Sequence, residues 1–197
     1  MLKKARIAVL VSGGGTNLQA LLDAQRSGAL AHGEIVLTVS SRPGVYALER
    51  AERAGVPGFV LPAEDGEAAL EELLARFEID FIILAGFLRI LSPAFTARWP
   101  RRILNIHPSL IPSFCGKGMY GLRVHEAALA RGVKVTGATV HFVNEIPDGG
   151  EILLQKAVEV LPGDTPETLQ RRVMEQAEWL LLPQAAEQLS RAVAQEV

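Results

Sequence analysis

Two polar side chains in the middle of the chain have the types and the spacing that acyl transfer requires. Asn105 and His107 flank one isoleucine, follow an apolar run and precede Pro108. Residues two apart on a strand point to the same face, so the pair would lie side by side where the proline stops the strand. An amide N–H and an imidazole N–H can both donate to one oxyanion, and such a donor typically contributes ~3–4 kcal/mol. The alternative is a structural histidine bonded to a backbone carbonyl.

A carboxylate that could assist this pair lies much further along the chain. Asp148 belongs to the segment Pro147-Asp148-Gly149-Gly150, and Pro-Asp-Gly is ordinary turn chemistry. If Asp148 folded back near His107, it would favour the imidazolium and could pass a proton from an attacking amine through water. At the level of the sequence both interpretations stay open.

A glycine-rich segment, Ser12-Gly13-Gly14-Gly15-Thr16-Asn17, joins a short apolar run to a helical pattern. Backbone N–H groups in such a loop lie beside the positive end of a helix dipole, which suits a phosphate group. Thr16 or Asn17 could cap the helix. The segment matches neither the Walker loop nor the dinucleotide fingerprint, and its alternative explanation is a tight turn with positive φ.

The elements that must position these groups follow from the hydrophobic pattern. In the first half, short apolar runs alternate with helical spacing, which is typical of a mostly parallel sheet covered on both faces. We predict strands at 7–11, 34–40, near 59–61, 81–85 and 102–107, and helices at 17–24, 45–54 and 67–77. Two β-like segments at 133–143 and 151–160 suit antiparallel pairing, and a last helix begins near 165, with a break near Pro183. The expected fold is an α/β single-domain three-layer sandwich with a mostly parallel N-terminal half and mixed or antiparallel C-terminal strands.

Composition excludes several classes of function. The 197 residues suit one domain, and 49% hydrophobic with 21% charged residues is ordinary for a globular protein. A net charge of −2 and few aromatic residues argue against nucleic-acid binding. A single cysteine, Cys115, excludes internal disulfides and cysteine-rich zinc modules. No apolar run approaches the ~20 residues of a membrane span, and no signal peptide is evident, so we expect a cytoplasmic location.

Several motifs together resemble one enzyme family, and they occur in that family's order over nearly the whole chain. The Asn-Ile-His-Pro-Ser core at 105–109 resembles all folate formyltransferases, and the Ser-Gly-x-Gly-Thr-Asn loop at 12–17 narrows the resemblance to glycinamide ribonucleotide formyltransferases. The segments at 85–93, 140–143 and 148–150 are similar to the same family. The resemblance implies transfer of a formyl group from 10-formyltetrahydrofolate to glycinamide ribonucleotide in purine biosynthesis, without a metal.

The resemblance also implies roles for individual residues. His107 would be the general acid, Asn105 its partner on the formyl oxygen, and Asp148 the carboxylate that assists the histidine and shuttles protons. The residues implied to hold the substrate and its phosphate are Gly15, Thr16, Asn17 and Glu178. Those implied to frame the folate are Leu88, Arg89, Ile90, Leu91, Asn105, Val143 and Asn144. Phosphate binding would thus belong to residues of about 1–100, and folate binding with catalysis to about 81–197.

Other interpretations of the same residues remain. Formyltetrahydrofolate hydrolase and methionyl-tRNA formyltransferase share the core motif, but each usually carries a further regulatory or C-terminal domain. A nucleotide-binding module without chemistry would keep the glycine loop and would not need Asn105 with His107. Cys115 could pair with a histidine as a nucleophile, although formyl transfer to an amine needs no covalent step. Gly66 stands where family members often have arginine. We expect a monomer or homodimer.

Overall fold

A computed structural model describes residues 3–195, which form one seven-stranded sheet with helices on both faces. The strands are β1 (Ala5–Val11), β2 (Gly33–Ser40), β3 (Gly58–Val60), β4 (Phe81–Leu84), β5 (Ile103–His107), β6 (Val135–Phe142) and β7 (Ile152–Glu159). Their spatial order is β3-β2-β1-β4-β5-β6-β7. Strands β1 to β5 are parallel, whereas β6 runs antiparallel to β5 and β7 antiparallel to β6. The α/β three-layer fold with antiparallel C-terminal strands is therefore confirmed.

Eight helical segments cover the two faces of the sheet in the described part of the chain. They are α1 (Thr16–Ser27), α2 (Tyr46–Arg53), α3 (Gly66–Arg76), α4 (Pro93–Arg98), α5 (Leu122–Arg131), α6 (Pro166–Val173), a π-helical turn (Met174–Glu178) and α7 (Trp179–Gln195). Alternate residues of β1 face opposite layers, because Ile7 packs with the cluster of α1 and α7 while Ala8 packs with that of α3 and α4. Within residues 3–195, no helix is long and apolar enough to cross a membrane.

Two local predictions were wrong. Neither Thr16 nor Asn17 caps α1: the N-cap is Gly15, and no side chain bonds there. The last helix breaks at the π-helical turn and not at Pro183, which lies inside α7. A proline within a helix removes one backbone donor, and a turn of π-helix upstream is one way for the chain to accommodate such a change.

The sequence interpretation also missed α4 and α5, although both carry recognisable end signals. Ser92 accepts a hydrogen bond from the backbone N–H of Phe95, and Pro93 occupies the first turn of α4. Helix α5 ends at Gly132, which has the left-handed conformation that a helix C-terminus favours.

Candidate active site

The end of β5 carries the pair that the sequence singled out. Leu104 and Ile106 pack into the cluster beneath α1 and α7, so Asn105 and His107 face the opposite side of the sheet, as the strand period predicts. The side chain of His107 is buried, and its Nε2–H donates to the carbonyl oxygen of Phe114 at 2.9 Å. This is the backbone contact of the structural alternative, and it also fixes the ring so that Nδ1 is the free nitrogen.

The structure brings Asp148 to that free nitrogen, so the turn does more than reverse the chain. Oδ2 of Asp148 lies 3.6 Å from Nδ1 of His107, and Oδ1 lies 3.5 Å from Nε2 of His141. Asp148 itself adopts a left-handed backbone conformation with φ of 56°. These separations are longer than ordinary hydrogen bonds, so the carboxylate faces both rings without a close bond to either. One carboxylate therefore lies between two imidazoles.

A loop between β5 and α5 joins the histidine to the carboxylate. The backbone N–H of Gly116 donates to Oδ2 of Asp148 at 2.8 Å, two residues after the carbonyl that holds His107. The hydroxyl of Ser109 closes the same loop by donating to the carbonyl oxygen of Ser113 at 2.5 Å. The peptide bond between Ile111 and Pro112 in this loop is cis. The loop thus sets the positions of both groups.

Asp148 is held in its ionised form against its surroundings. Burial is the largest single influence and opposes ionisation, but the neighbouring imidazoles of His141 and His107 and the N–H of Gly116 together outweigh it. The net effect lowers the pKa of Asp148 below its ordinary value. The site therefore presents a carboxylate that can accept a proton.

His141 is a site residue that the sequence interpretation did not assign. It lies opposite Asn105 in the β5–β6 pairing and is almost completely buried. Its Nδ1–H donates to the carbonyl oxygen of Phe142 at 2.8 Å, and its Nε2 lies 3.1 Å from Nδ2 of Asn105. A neutral ring accepts one amide proton from Asn105, which leaves the second amide proton to point elsewhere. The strand register, which short-range spacing does not encode, was the missing signal.

Cys115 does not have the surroundings of a nucleophile. Its thiol donates to the carbonyl oxygen of Pro112 at 3.2 Å, and burial together with the charge of Asp148 raises its pKa. A raised pKa keeps the less reactive thiol form, so the covalent alternative is not favoured.

The glycine loop lies after β1 and turns directly into α1. Gly15 has φ of 73°, and a Cβ added there would lie 2.6 Å from the Cβ of Ala47 in α2. Glycine is therefore required both by the left-handed backbone and by the close approach of α2. Gly13 and Gly14 are exposed, which leaves the backbone of the loop open to a ligand on the side away from α2.

Asn17 joins this loop to the C-terminal helices. Its Nδ2 donates to Oε2 of Glu178 at 2.6 Å, and both side chains are buried. Burial raises the pKa of Glu178 to about 7, although the hydrogen bond from Asn17 acts in the opposite direction. Oδ1 of Asn17 has no partner among the described residues. The implied substrate residues Gly15, Thr16, Asn17 and Glu178 thus come together from opposite ends of the chain.

A small cleft of about 130 Å³ opens beside Asn105 and Asp148. Most of the implied folate residues line it, including Arg89, Ile90 and Leu91 from one loop and Val143 and Asn144 from another. Ile90 is 79% exposed, which leaves an apolar side chain at the entrance for a ligand to cover.

Leu88 is the implied folate residue that lies outside the lining of the cleft. Its backbone N–H donates to the hydroxyl of Ser12 at 2.8 Å, which ties the 86–91 loop to the glycine loop. Arg89 donates to the carbonyl oxygen of Pro62 at 2.7 Å, and a side chain at Gly66 would meet its guanidinium at 2.6 Å. Arg89 therefore occupies the space beside Gly66.

A larger cavity, of about 620 Å³, is lined by residues such as Pro100, Leu153 and Ala192 and by none of the candidate residues. The smaller cleft is the better candidate, because it is lined by Asn105, His141 and Asp148 and chemistry needs convergent polar groups more than volume. Across residues 3–195, no group of three or more metal-ligating side chains is placed to hold a metal ion.

Comparison with known proteins identifies the same enzyme family that the sequence motifs resemble, along nearly the whole chain. The family model described as "Formyl transferase" matches residues 5–185. The chain is 45% identical over 199 residues to the human trifunctional purine biosynthetic protein adenosine-3, a match that covers 98% of this chain and 19% of that protein. It is 40% identical over 179 residues to the chloroplastic phosphoribosylglycinamide formyltransferase of Arabidopsis thaliana, covering 87% of this chain and 61% of the relative. The chain therefore spans about a fifth of the length of the trifunctional relative.

Solved structures agree with these matches. Glycinamide ribonucleotide transformylase 1 from Symbiobacterium toebii superposes with a TM-score of 0.88 at 43% identity, covering 96% of this chain and 89% of that one. Phosphoribosylglycinamide formyltransferase from Brucella melitensis gives a TM-score of 0.86 at 41% identity, covering 95% of this chain and 96% of that one.

Proposed function

Because the chain belongs to the formyl transferase family, we propose that it transfers the formyl group of 10-formyltetrahydrofolate to the amine of glycinamide ribonucleotide in purine biosynthesis. The observation that carries this proposal is the position of Asp148, 3.6 Å from Nδ1 of His107 and beside Asn105. The likeness to formyltransferases of known structure supports the choice of substrates.

The substrate phosphate binds at the glycine loop, whose exposed N–H groups and helix terminus suit an anion. Asn17 continues this phosphate-binding segment, and Glu178 contacts the substrate beside it, because the two buried side chains are hydrogen-bonded to each other. The reduced folate enters the cleft lined by Ile90, Leu91 and Val143. This arrangement directs the amine of one ligand and the formyl carbon of the other towards the end of β5.

The amine nitrogen attacks the formyl carbon, and the carbonyl electron pair moves onto oxygen. The free amide proton of Asn105 and the Nδ1 proton of His107 both donate to this oxyanion, where each donor typically contributes ~3–4 kcal/mol. Asp148 accepts the proton that the attacking amine loses, through a water molecule, and stabilises the imidazolium. His107 then donates a proton as the bond from carbon to folate N10 breaks, and that nitrogen leaves protonated.

An assay of formyl transfer with and without glycinamide ribonucleotide tests the function. We expect turnover only when the amine is present, whereas turnover without it would identify a formyltetrahydrofolate hydrolase. Absence of turnover combined with phosphate binding would identify a nucleotide-binding module.

Variants of the central side chains test the mechanism. His107→Ala is expected to lower kcat by about two orders of magnitude or more while folate binding survives, since it removes one oxyanion donor. The matched control is His32→Ala, because His32 pairs with Glu187 just before the start of β2, at the opposite end of the parallel strands from His107. Equal activity of the two variants would reject the assigned role of His107.

Three expectations from the sequence stay part of the proposal. They are a cytoplasmic location, a monomer or homodimer, and the division into a phosphate-binding part of about 1–100 and a folate-binding, catalytic part of about 81–197. The contact between Asn17 and Glu178 adds that a residue of the second part reaches the proposed phosphate site. Cell fractionation and sedimentation of the purified chain test the first two, and ligand binding by variants in each part tests the third.

A further inference from the structure

The carbonyl groups of two consecutive glycines in the loop are both bonded to α2. The carbonyl oxygen of Gly13 accepts from the backbone N–H of Ala47 at 3.2 Å. The carbonyl oxygen of Gly14 accepts from Nε–H of Arg50 at 2.8 Å. In a trans peptide the carbonyl and the following N–H point in opposite directions. The N–H groups of Gly14 and Gly15 must therefore point away from α2.

Those two N–H groups continue into the free donors at the start of α1. Gly15 has the left-handed conformation, and successive N–H groups around such a residue form a concavity that suits an anion. The backbone N–H groups of Gly14, Gly15 and Thr16 donate to no protein acceptor in the described part of the chain. If either glycine peptide flipped, a carbonyl oxygen would replace a donor and repel a phosphate.

Arg50 is itself fixed by its neighbours. Nη1 donates to Oε1 of Gln19 in α1 at 2.9 Å, and the guanidinium carbon lies 4.7 Å from the ring centroid of Tyr46. Its Cδ lies 3.4 Å from the place that a Cβ on Gly15 would occupy. The arginine therefore links α1 to α2. It packs against the side of the glycine loop on which the carbonyl groups of Gly13 and Gly14 lie.

We propose that Arg50 is a positioning residue for the substrate phosphate. It holds the Gly14 carbonyl on the α2 side, so that the Gly15 N–H faces the ligand, without touching the phosphate itself. The inference rests on the proposed phosphate site of the glycine loop and adds a residue from another helix, outside the motifs that identified the loop.

Steady-state kinetics of Arg50→Ala test the inference. We expect its KM for glycinamide ribonucleotide to rise about tenfold or more, equivalent to ~1.4 kcal/mol, while kcat and the KM for the formyl donor stay within about twofold. The matched control is Arg53→Ala, since Arg53 lies one turn later, stacks on the same Tyr46 ring at 5.3 Å and bonds Tyr46 and Glu49, not the loop. Arg50→Lys, which keeps the charge and a donor, should recover part of the loss.

Equal KM values for Arg50→Ala and Arg53→Ala would overturn the inference, as would a loss confined to kcat. If Arg50→Ala does not fold, Arg50→Lys and Arg50→Gln are compared with Arg53→Ala by the same criteria.

A binding measurement with inorganic phosphate, followed at the amide signals of Gly14 and Gly15, requires no formyl donor. Phosphate shifts that weaken in Arg50→Ala, in a protein that formylates nothing, would reject the proposed function and support this inference. A wild-type protein that formylates glycinamide ribonucleotide, together with unchanged phosphate binding in Arg50→Ala, would support the proposed function and reject this inference.

Discussion

Replacing the carboxyl of Glu178 by an amide should remove a pH dependence of folding stability. Glu178 is buried at the contact with Asn17, and its pKa rises to about 7 from an ordinary value of 4.5. In Glu178→Gln the amide oxygen can still accept the hydrogen bond from Asn17. The variant therefore removes the titration and keeps the contact.

The magnitude follows from the pKa difference. The unfolded chain ionises Glu178 at lower pH than the folded chain, so its contribution to stability is fully present below about pH 4.5 and is lost as the pH rises to about 7. At 1.36 kcal/mol for each unit of pKa, the wild type should lose about 3 kcal/mol relative to Glu178→Gln across this interval. Above about pH 8 the difference should stay constant.

Urea unfolding of both proteins between pH 4.5 and 8 measures this difference directly. Glu175→Gln is the matched control, because Glu175 lies on the same π-helical turn and is exposed. The plot of its unfolding free energy against pH should run parallel to that of the wild type. Parallel curves for Glu178→Gln and the wild type would show that the carboxyl ionises alike in both states, and the reasoning from burial would be refuted.

Three further predictions concern single positions. Gly15→Ala should cost about 1–3 kcal/mol in urea unfolding, because φ is 73° and Ala47 is too close, whereas Gly13→Ala, with open space around it, should change little. Burial lowers the pKa of His125 to about 4, so the wild type should lose about 3 kcal/mol of folding stability as the pH falls from 6.5 to 4. His125→Leu should remove this loss in urea unfolding, and an equal loss of stability in the variant would contradict the prediction. Cys115→Ser should keep kcat within about twofold, and a loss of a hundredfold would revive the covalent mechanism.

Local periodicity was enough for much of the fold. The apolar run at 7–11 identified β1, and the two-residue spacing of Asn105 and His107 correctly placed both on one face of β5. Helix α5 was missed because its buried face includes His125, a polar residue that interrupts the apolar spacing. Patterns of this kind report burial, so they fail where a buried residue is polar.

The assembly of the site depends on contacts that local spacing does not contain. Asp148 meets His107 only because β6 returns antiparallel beside β5, and the same pairing brings His141 opposite Asn105. The roles of Asp148 and Glu178 came from the family resemblance, while that of His141 required the strand register. Conversely, the predicted side-chain cap of α1 failed because the helix begins at Thr16 with Gly15 as its N-cap, and Asn17, inside the first turn, bonds Glu178.

The most direct test of the proposed mechanism is a crystal structure with glycinamide ribonucleotide and a non-transferable folate analogue bound together. We predict that the atom in place of the formyl oxygen lies within hydrogen-bond distance of both Asn105 and Nδ1 of His107, with Asp148 next to the amine or its bridging water. A reacting carbon outside the reach of these three side chains would contradict the account, whichever reaction the protein catalyses.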